Sequence, residues 1–251
     1  MLDSTTSQLS LWAPDDAVDA WQIRESPRAR RLSVKVFRSG HVEVIVPRRT
    51  SQRVVTHFLE QHRAWIERKR AESQRNAPPT EPFPPEDIEL SACDELWRVH
   101  VAGGSSRVLL KTTGPRLLSL VGRVEDARAV RHVLRRWLVD KAHETFAPLL
   151  AATAREFGFS YSKMTIRRQR TRWGSCSARG SISLNCALLF QKPEVTRYLL
   201  IHELAHTRHM NHSKRFWDCV ARCCAGYERL DRQLLDGWKH VPGWVFDGRA
   251  D

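Results

Sequence analysis

The stretch LLIHELAHTRHMNHSKRFW, residues 199–217, sets four histidines and one glutamate among apolar and basic neighbours. His202, Glu203 and His206 form the pattern H-E-x-x-H. On an α-helix, residues four apart lie on one face, about 6 Å apart along the axis. Two imidazoles placed in this way can converge on one ion, each about 2.0–2.1 Å from a zinc. The glutamate lies one step round the helix, where its carboxylate can contact a water molecule beside the ion.

The residues that flank this pattern favour a metal over an ordinary helix. They are mostly apolar, so the helix is predicted to be buried around most of its girth. Two histidines and a glutamate in such a helix need polar partners, and a metal ion supplies them. Hydrogen-bonded core histidines are the alternative interpretation, which would suit a single histidine better than this group.

A catalytic zinc site usually has three protein ligands and one open position. His209 follows His202 by seven residues, so on a continuous helix it lies about 10.5 Å further along the axis, too far to share the ion. His212 can reach back if the helix ends and the chain turns near residues 209–211. Asn211, and less readily His209, tolerate the left-handed backbone that such a turn uses. We therefore predict His212 as the third ligand of one zinc ion per chain.

The charge balance of the chain is strongly basic. The 251 residues include 41 Lys and Arg and 28 Asp and Glu, which gives a formal net charge of +13. This balance makes nucleic acid one candidate partner, although solubility alone would also account for it. A basic run just before the metal motif has the same two interpretations, a phosphate-contacting patch or a solvated strand: Lys163, Arg167, Arg168, Arg170 and Arg172.

The sequence indicates a protein of a reducing compartment. Its first residues lack the basic and apolar regions of a secretory signal. No run approaches the roughly 20 apolar residues of a membrane span. The six cysteines show no disulfide spacing. We expect reduced thiols, with Cys176 as a packing residue, and a cytoplasmic protein that does not enter a membrane.

The hydrophobic pattern predicts an α+β fold. We expect a flexible tail over residues 1–18, then a β-rich region over 19–122 with one helix and a proline-rich loop near 76–87. Alternating residues on either side of Ser39-Gly40 predict a β-hairpin. Residues 123–251 are predicted to form a helical, metal-binding unit with a small antiparallel sheet, against which the β-rich unit packs. Its first helix should begin near Glu125 and bend or break at Pro148.

Residues 181–189 alternate between apolar and small polar side chains, which predicts a half-buried strand. If this strand is an exposed edge above the metal site, an extended peptide can add to it through backbone hydrogen bonds. An ordinary buried strand explains the same pattern equally well.

The ligand spacing matches the H-E-x-x-H-x-x-G-x-x-H pattern of the metzincins except that His209 replaces the glycine. That family also has a Met-turn after the motif, whereas the last methionine here is Met210, inside it. We therefore exclude the metzincins.

A longer segment resembles another family. The motifs Arg172-Trp173-Gly174-Ser175-Cys176, Leu184-Asn185, H-E-L-A-H, Asn211-His212-Ser213 and Phe216-Trp217 follow one another in the order and spacing of the YgjP-like zinc metallopeptidases. These are cytosolic proteins related to the SprT-like proteases. The resemblance covers most of residues 20–240 and is strongest over about 165–220.

The resemblance implies a zincin-like fold and a zinc-dependent peptidase that uses a metal-activated water. His202, His206 and His212 would bind the zinc, Glu203 would be the general base, and the substrate would be a protein or peptide. One departure is Gly226-Tyr227, where the family has a Pro-Tyr pair, which weakens any catalytic role for Tyr227. The alternative is a basic nucleic-acid-associated protein, acting on DNA-linked proteins as the SprT-like relatives do, whose metal site is secondary or structural. A structural site closes with four protein ligands and has no use for a free carboxylate, so Glu203 favours the enzyme.

Overall fold

The computed structural model describes residues 21–27, 29–36, 42–75, 82–104 and 107–246. The predicted tail, the turn at Ser39-Gly40 and residues 76–81 of the proline-rich loop lie outside the described residues. The chain divides into two compact units, Met1–Pro79 and Thr80–Asp251.

The first unit contains a three-stranded sheet and one helix: β1 (Trp21–Ser26), β2 (Ser33–Val36), β3 (Val42–Pro47) and α1 (Gln52–Arg75). The strand order is β1-β3-β2, with β2 antiparallel and β1 parallel to β3. The antiparallel pairing of β2 with β3 confirms the strands of the predicted hairpin. Alternate valines of β3 enter a core that also contains Val55, Leu59 and Ile66 of α1.

The second unit begins with a four-stranded sheet of β4 (Asp87–Leu90), β5 (Glu95–Ala102), β6 (Leu109–Gly114) and β7 (Leu117–Val121), in the order β4-β5-β7-β6. The buried residues of β4, β5 and β7 share one core with the long helix α2 (Ala127–Phe157). The sequence interpretation assigned these strands to an amino-terminal region ending at 122 and began the metal-binding region at 123. In the structure this sheet lies within the second compact unit. The domain boundary at 122/123 stays a prediction.

The helix α2 forms close to where the sequence placed it. The carboxylate of Asp126 accepts hydrogen bonds from the backbone N–H groups of Arg128 and Ala129 and caps its start. Gly158, with φ of 65°, ends it in the left-handed conformation. The sequence predicted a bend or a break at Pro148, and the helix runs through this residue without a break. Phe146 and Leu150, on either side of the proline, are fully buried, and this packing offsets the hydrogen bond that proline removes.

The third sheet lies next to the metal motif and consists of β8 (Lys163–Arg167), β9 (Gly174–Cys176) and β10 (Ser181–Asn185). Its order is β8-β10-β9, with β10 parallel to β8 and antiparallel to β9. The sheet is therefore mixed rather than antiparallel. The interpretation of residues 181–189 as an exposed edge is wrong, because both edges of β10 are already paired. Residues Cys186–Phe190 form a buried 3₁₀ helix instead of continuing the strand.

Three further helices complete the second unit: α3 (Pro193–Ala205), α4 (Lys214–Cys223) and α5 (Tyr227–Asp236). Two 3₁₀ turns, Gly237–His240 and Gly243–Val245, follow. Helices and small mixed sheets together confirm the α+β fold. Within the described part of the chain, no helix combines the length and apolar character needed to cross a membrane.

Candidate metal centre

The H-E-x-x-H motif lies on α3, the most deeply buried of the last three helices. Pro193 occupies its first turn and Glu194 is the acidic residue there, as the sequence predicted. Tyr198 and Leu204 are fully buried, and Ile201 is nearly so. A helix packed on nearly all sides holds its side chains in fixed rotamers, which is what a preformed metal site requires.

The chain turns directly after this helix and brings His212 back towards it. The backbone N–H of Thr207 binds the carbonyl of Leu204, and the N–H of His209 binds the carbonyl of Ala205. The expected left-handed residue is not used: outside glycine, the positive φ angles of the described residues belong to Arg49, Asp94 and Arg116. Hydrogen bonds to the last helical carbonyls therefore shape the turn.

The turn brings three of the four histidines together. Nε2 of His202 lies 3.1 Å from Nε2 of His212. One ring nitrogen from each of His202, His206 and His212 lies within 4.8 Å of the other two. Two nitrogen ligands of a tetrahedral zinc are roughly 3.3 Å apart, from bonds of about 2.0–2.1 Å. The three imidazoles are a donor set that suits a zinc ion, and the His202–His212 pair is near ligand spacing. Among the described residues, no other group of three His, Cys, Asp or Glu side chains lies so close together.

His209 lies beside this group without joining it. Its backbone carbonyl oxygen is 3.1 Å from Nδ1 of His206. A carbonyl can only accept, so Nδ1 of His206 carries the proton and Nε2 keeps its lone pair for a metal. His209 therefore acts through its backbone.

The environment keeps the two helix histidines neutral. Burial, together with the smaller effects of the neighbouring His206 and His212, lowers the pKa of His202 to about 3. Burial also lowers the pKa of His206. A neutral imidazole is the form that binds a metal, so both side chains are in the binding form at neutral pH.

Aromatic rings surround the histidines on the side of α4. Phe216 is fully buried, and its ring centroid lies 4.9 Å from that of His202 and 4.4 Å from that of His206. Trp217 stacks on His212 at 5.5 Å, and Tyr227 stacks on the other side of Trp217 at 5.2 Å. Tyr227 is thus one layer removed from the ligand. Gly226 before it adopts φ of 70°, a conformation that proline cannot reach.

Glu203 lies beside the histidines with only 4 % of its surface exposed. Its Oε2 atom is buried and has no hydrogen-bond partner in the protein. Burial raises the pKa of Glu203 to about 8, and the positive charge of Arg172 opposes that shift. A buried carboxylate oxygen without a protein partner is costly, so it indicates a functional role at this position.

Side-chain contacts hold in place the segment that leads into β9, the strand that faces Glu203. The Asn185 side chain is fully buried and donates to the backbone oxygens of Gln169, at 2.6 Å, and Arg172, at 2.8 Å. Trp173 stacks on Trp238 at a centroid distance of 3.9 Å. These contacts explain why the Arg-Trp-Gly-Ser-Cys and Leu-Asn motifs occur together.

The basic run does not form a uniform patch. Arg168 donates to the backbone oxygen of Val245 at 3.3 Å, and Arg170 donates to that of Phe246. These two arginines hold the carboxyl-terminal segment of the second unit. Lys163, Arg167 and Arg172 are exposed. The arrangement favours neither of the two sequence interpretations for the run as a whole.

The cysteines agree with the expected packing role. All six, which fall in the described part of the chain, are free thiols. Burial raises the pKa of Cys176, and the nearby Glu203 raises it further. Burial raises the pKa of Cys186 to about 12. Thiols held in the neutral form are poor nucleophiles and poor metal ligands.

Two residues of the site escaped the sequence analysis. Tyr198, which looked like an apolar flank of the helix, places its hydroxyl oxygen 3.3 Å from Nδ1 of His202. It also donates a hydrogen bond to Oδ1 of Asp231 on α5, at 2.7 Å. Burial raises the pKa of Tyr198 far above its ordinary range, and the hydrogen bond to Asp231 adds to the shift. The four-residue spacing from His202 would have pointed to Tyr198, whereas nothing local in the sequence points to Asp231.

Comparison with known families matches residues 30–236 to the YgjP-like family, metallopeptidase domain. The chain belongs to this family. The match spans both compact units, and the three histidines and Glu203 lie inside it. The chain therefore carries a metallopeptidase domain, for which a divalent metal and a protein or peptide substrate are expected.

Among solved structures, the YgjP-like chain is similar to one described as the crystal structure of the metallopeptidase zymogen of Pyrococcus abyssi abylysin. The two are 27 % identical, with a TM-score of 0.33, over 36 % of this chain and 90 % of the other. No curated protein shows significant similarity to the chain.

Proposed function

We propose that this YgjP-like protein is a zinc-dependent endopeptidase in which His202, His206 and His212 hold the ion and Glu203 is the general base. One observation carries the proposal. Three imidazole nitrogens lie within 4.8 Å of one another, and His202 and His206 share their motif with Glu203, whose Oε2 atom is buried without a partner. Three ligands leave one position open, as catalytic zinc sites do and structural sites do not.

Glu203 would move the proton in this reaction. A bound zinc ion supplies a Lewis acid that polarises a water molecule and the substrate carbonyl. The carboxylate of Glu203 takes a proton from the attacking water and later delivers it to the leaving amine. Its position supports this role, because the Oε2 atom is buried without a protein partner and is therefore free to accept the proton of a water molecule.

The substrate backbone would bind at β9 rather than β10. Among the described strands, β9 pairs only with β10, so its other edge is unpaired. The backbone N–H of Asn185 donates to the carbonyl of Trp173, and the backbone N–H of Ser177 donates to the carbonyl of Ser181. Residues 185 and 173, and residues 181 and 177, are therefore hydrogen-bonded pairs of the ladder. Hydrogen-bonded and non-bonded pairs alternate along an antiparallel ladder. Gly174 and Cys176 therefore direct their N–H and C=O groups towards the open edge, where an extended peptide can bind them.

The side-chain alternation of β9 places this edge above the reacting group. Gly174 faces Glu203, and Cys176, two residues later, has the same orientation and lies near Glu203. Backbone recognition of this kind depends little on substrate side chains and is consistent with cleavage of unfolded protein. We expect the enzyme to act in a reducing compartment such as the cytoplasm, because its six cysteines are free thiols.

The proposal is tested by metal content and proteolysis in four proteins: wild type, Glu203→Gln, His212→Ala and His209→Ala. We expect one zinc per chain in wild type, Glu203→Gln and His209→Ala, and a clear loss in His212→Ala. His209→Ala is a matched control because it keeps the carbonyl that His206 uses. Hydrolysis of an unfolded casein-type substrate should fall by roughly 10²–10⁴ in Glu203→Gln. Undiminished hydrolysis in that variant, or no zinc in wild type after zinc is supplied, would overturn the proposal.

A further inference from the structure

Tyr198 connects a ligand histidine to a carboxylate on another helix. Its hydroxyl oxygen lies 3.3 Å from Nδ1 of His202 and 2.7 Å from Oδ1 of Asp231. The Tyr198 and His202 rings meet edge to face, with centroids 5.9 Å apart, because the residues are one turn apart on α3. Asp231 lies on α5, so the hydrogen bonds join two helices at the metal centre.

The direction of these hydrogen bonds is fixed by Asp231. A carboxylate oxygen accepts, so the Tyr198 hydroxyl donates its proton to Asp231 and keeps its lone pairs for His202. Nδ1 of His202 must then be the protonated nitrogen. Nε2, which lies 3.1 Å from Nε2 of His212, is left with the free lone pair. The pair Asp231 and Tyr198 therefore selects the tautomer in which the correct nitrogen faces the metal.

Packing alone does not explain the hydroxyl group of Tyr198. The residue is fully buried, in a helix whose buried side chains are mostly apolar. Phenylalanine would fill the same volume without a polar atom to satisfy. A hydroxyl retained there, and hydrogen-bonded on both sides, is explained by the two groups that it joins.

We propose that Tyr198 and Asp231 are positioning residues that hold His202 in its metal-binding tautomer and orientation. The inference rests on the proposed function only in taking His202 as a metal ligand. Removing the hydroxyl in Tyr198→Phe leaves Nδ1 without its acceptor, and the imidazole is then free to rotate and to exchange tautomers. Asp231→Ala acts differently, because the Tyr198 hydroxyl can then turn its proton towards Nδ1 and favour the tautomer with Nε2 protonated.

The test measures zinc affinity by competition with a chelator, and the His202 tautomer by long-range ¹H–¹⁵N correlation on metal-free protein. We expect Tyr198→Phe and Asp231→Ala to weaken zinc binding roughly 10- to 100-fold, as loss of such partners typically does. Asp231→Asn keeps an acceptor for the hydroxyl and should bind zinc more tightly than Asp231→Ala. The Nδ1-protonated signal of His202 should dominate in wild type and fade in Tyr198→Phe and Asp231→Ala.

Two matched controls separate positioning from general damage. Tyr227→Phe removes a hydroxyl from a ring that lies one stacking layer from His212, and Asp218→Asn removes a carboxylate from an exposed pair with Lys214. Both should bind zinc as wild type does. Equal losses in Tyr198→Phe and Tyr227→Phe, or an unchanged His202 tautomer in Tyr198→Phe and Asp231→Ala, would overturn the inference. If Tyr198→Phe folds poorly, the two Asp231 variants decide: tighter zinc binding in Asp231→Asn than in Asp231→Ala supports the inference, and equal binding contradicts it.

His202→Ala separates this inference from the proposed function. If His202→Ala keeps full zinc affinity, the proposed metal site itself is wrong. If zinc binding depends on His202 but Tyr198→Phe and both Asp231 variants bind it as wild type does, the proposed site stands and only the positioning role is wrong.

Discussion

A methyl group in place of the Gly174 side-chain hydrogen would lie 2.5 Å from Oε1 of Glu203 and 2.9 Å from its Cγ and Cδ atoms. Gly174 is thus required for space, since β9 passes directly over the carboxylate. Glu203 is only 4 % exposed, so it cannot avoid this Cβ atom by a small shift into solvent. The alanine would therefore force the carboxylate out of its position beside the histidines.

We therefore predict that Gly174→Ala lowers the rate of peptide hydrolysis at least about tenfold, part of the 10²–10⁴ that a general base contributes. Zinc content should stay at the wild-type level, because no histidine is touched. Gly103→Ala is the control, since a Cβ atom there meets nothing within 4 Å. Steady-state kinetics on a model peptide would check this, and a wild-type rate in Gly174→Ala would contradict it.

Asn185 should be important for stability. Its Nδ2 group donates to the oxygens of Gln169 and Arg172, and its Oδ1 atom accepts from the N–H of Ala187 at 3.1 Å. Asn185→Ala leaves the buried N–H of Ala187 and the two part-buried carbonyls without this partner, at about 1–3 kcal/mol for each group left unsatisfied. We expect the free energy of unfolding, measured with denaturant, to fall by about 3 kcal/mol in total. Asn211→Ala, at an exposed position, should change it by less than about 0.5 kcal/mol. A small effect of Asn185→Ala would show that the segment before β9 is held by other contacts.

Local patterns predicted well those features that depend on neighbouring residues. Helical spacing placed His202 and His206 on one face of α3, and the gap of six residues made His212 able to return after a turn. The alternation of apolar and polar residues on either side of Ser39-Gly40 predicted the strands β2 and β3. The structure brings these elements together as expected because each depends on a few consecutive backbone angles.

Features that depend on distant partners were missed or wrong. The alternation in residues 181–189 shows which side chains are apolar but not whether a strand is central, and the parallel pairing of β10 with β8 decides that. Asn185 looked like an outward-facing residue, yet its side chain binds carbonyls 16 and 13 residues earlier. Asp231 reaches Tyr198 across 33 residues of chain. No local periodicity encodes such contacts.

Trp217 should support the metal centre through His212. His212, the proposed third ligand, is exposed and comes from a turn, and the stacked indole restricts its ring. Aromatic pairs of this kind contribute about 0.5–1.5 kcal/mol, which corresponds to roughly a 2- to 10-fold change in affinity. We predict that Trp217→Leu weakens zinc binding by that factor, whereas Trp217→Phe, which keeps a stacking ring, stays closer to wild type. Chelator competition would measure both, and equal affinities in Trp217→Leu and wild type would contradict the role.

The pair formed by Glu95 of β5 and Lys141 of α2 should make the stability of the second unit depend on pH. Their side chains are 20 % and 10 % exposed, and Lys141 Nζ lies 2.9 Å from Oε2 of Glu95. Burial by itself would raise the pKa of Glu95. Hydrogen bonds from Lys141 and Trp97, together with the charge of Lys141, outweigh burial and hold that pKa below its ordinary value.

Because the pKa of Glu95 is lower in the folded protein than in the unfolded chain, the pair stabilises the fold above the ordinary glutamate pKa of about 4.3. Its contribution is lost as the pH falls through the lower, folded value. We predict that Glu95→Gln costs about 1–3 kcal/mol of unfolding free energy at neutral pH and progressively less as the pH falls below the ordinary glutamate pKa of about 4.3. Glu156→Gln is the control: Glu156 pairs with Arg197, but both side chains are 48 % exposed, so we expect a cost below about 1 kcal/mol. Denaturant unfolding of wild type and both variants, from neutral pH to well below the ordinary glutamate pKa, would check the prediction, and a cost of Glu95→Gln that stays constant over this range would contradict it.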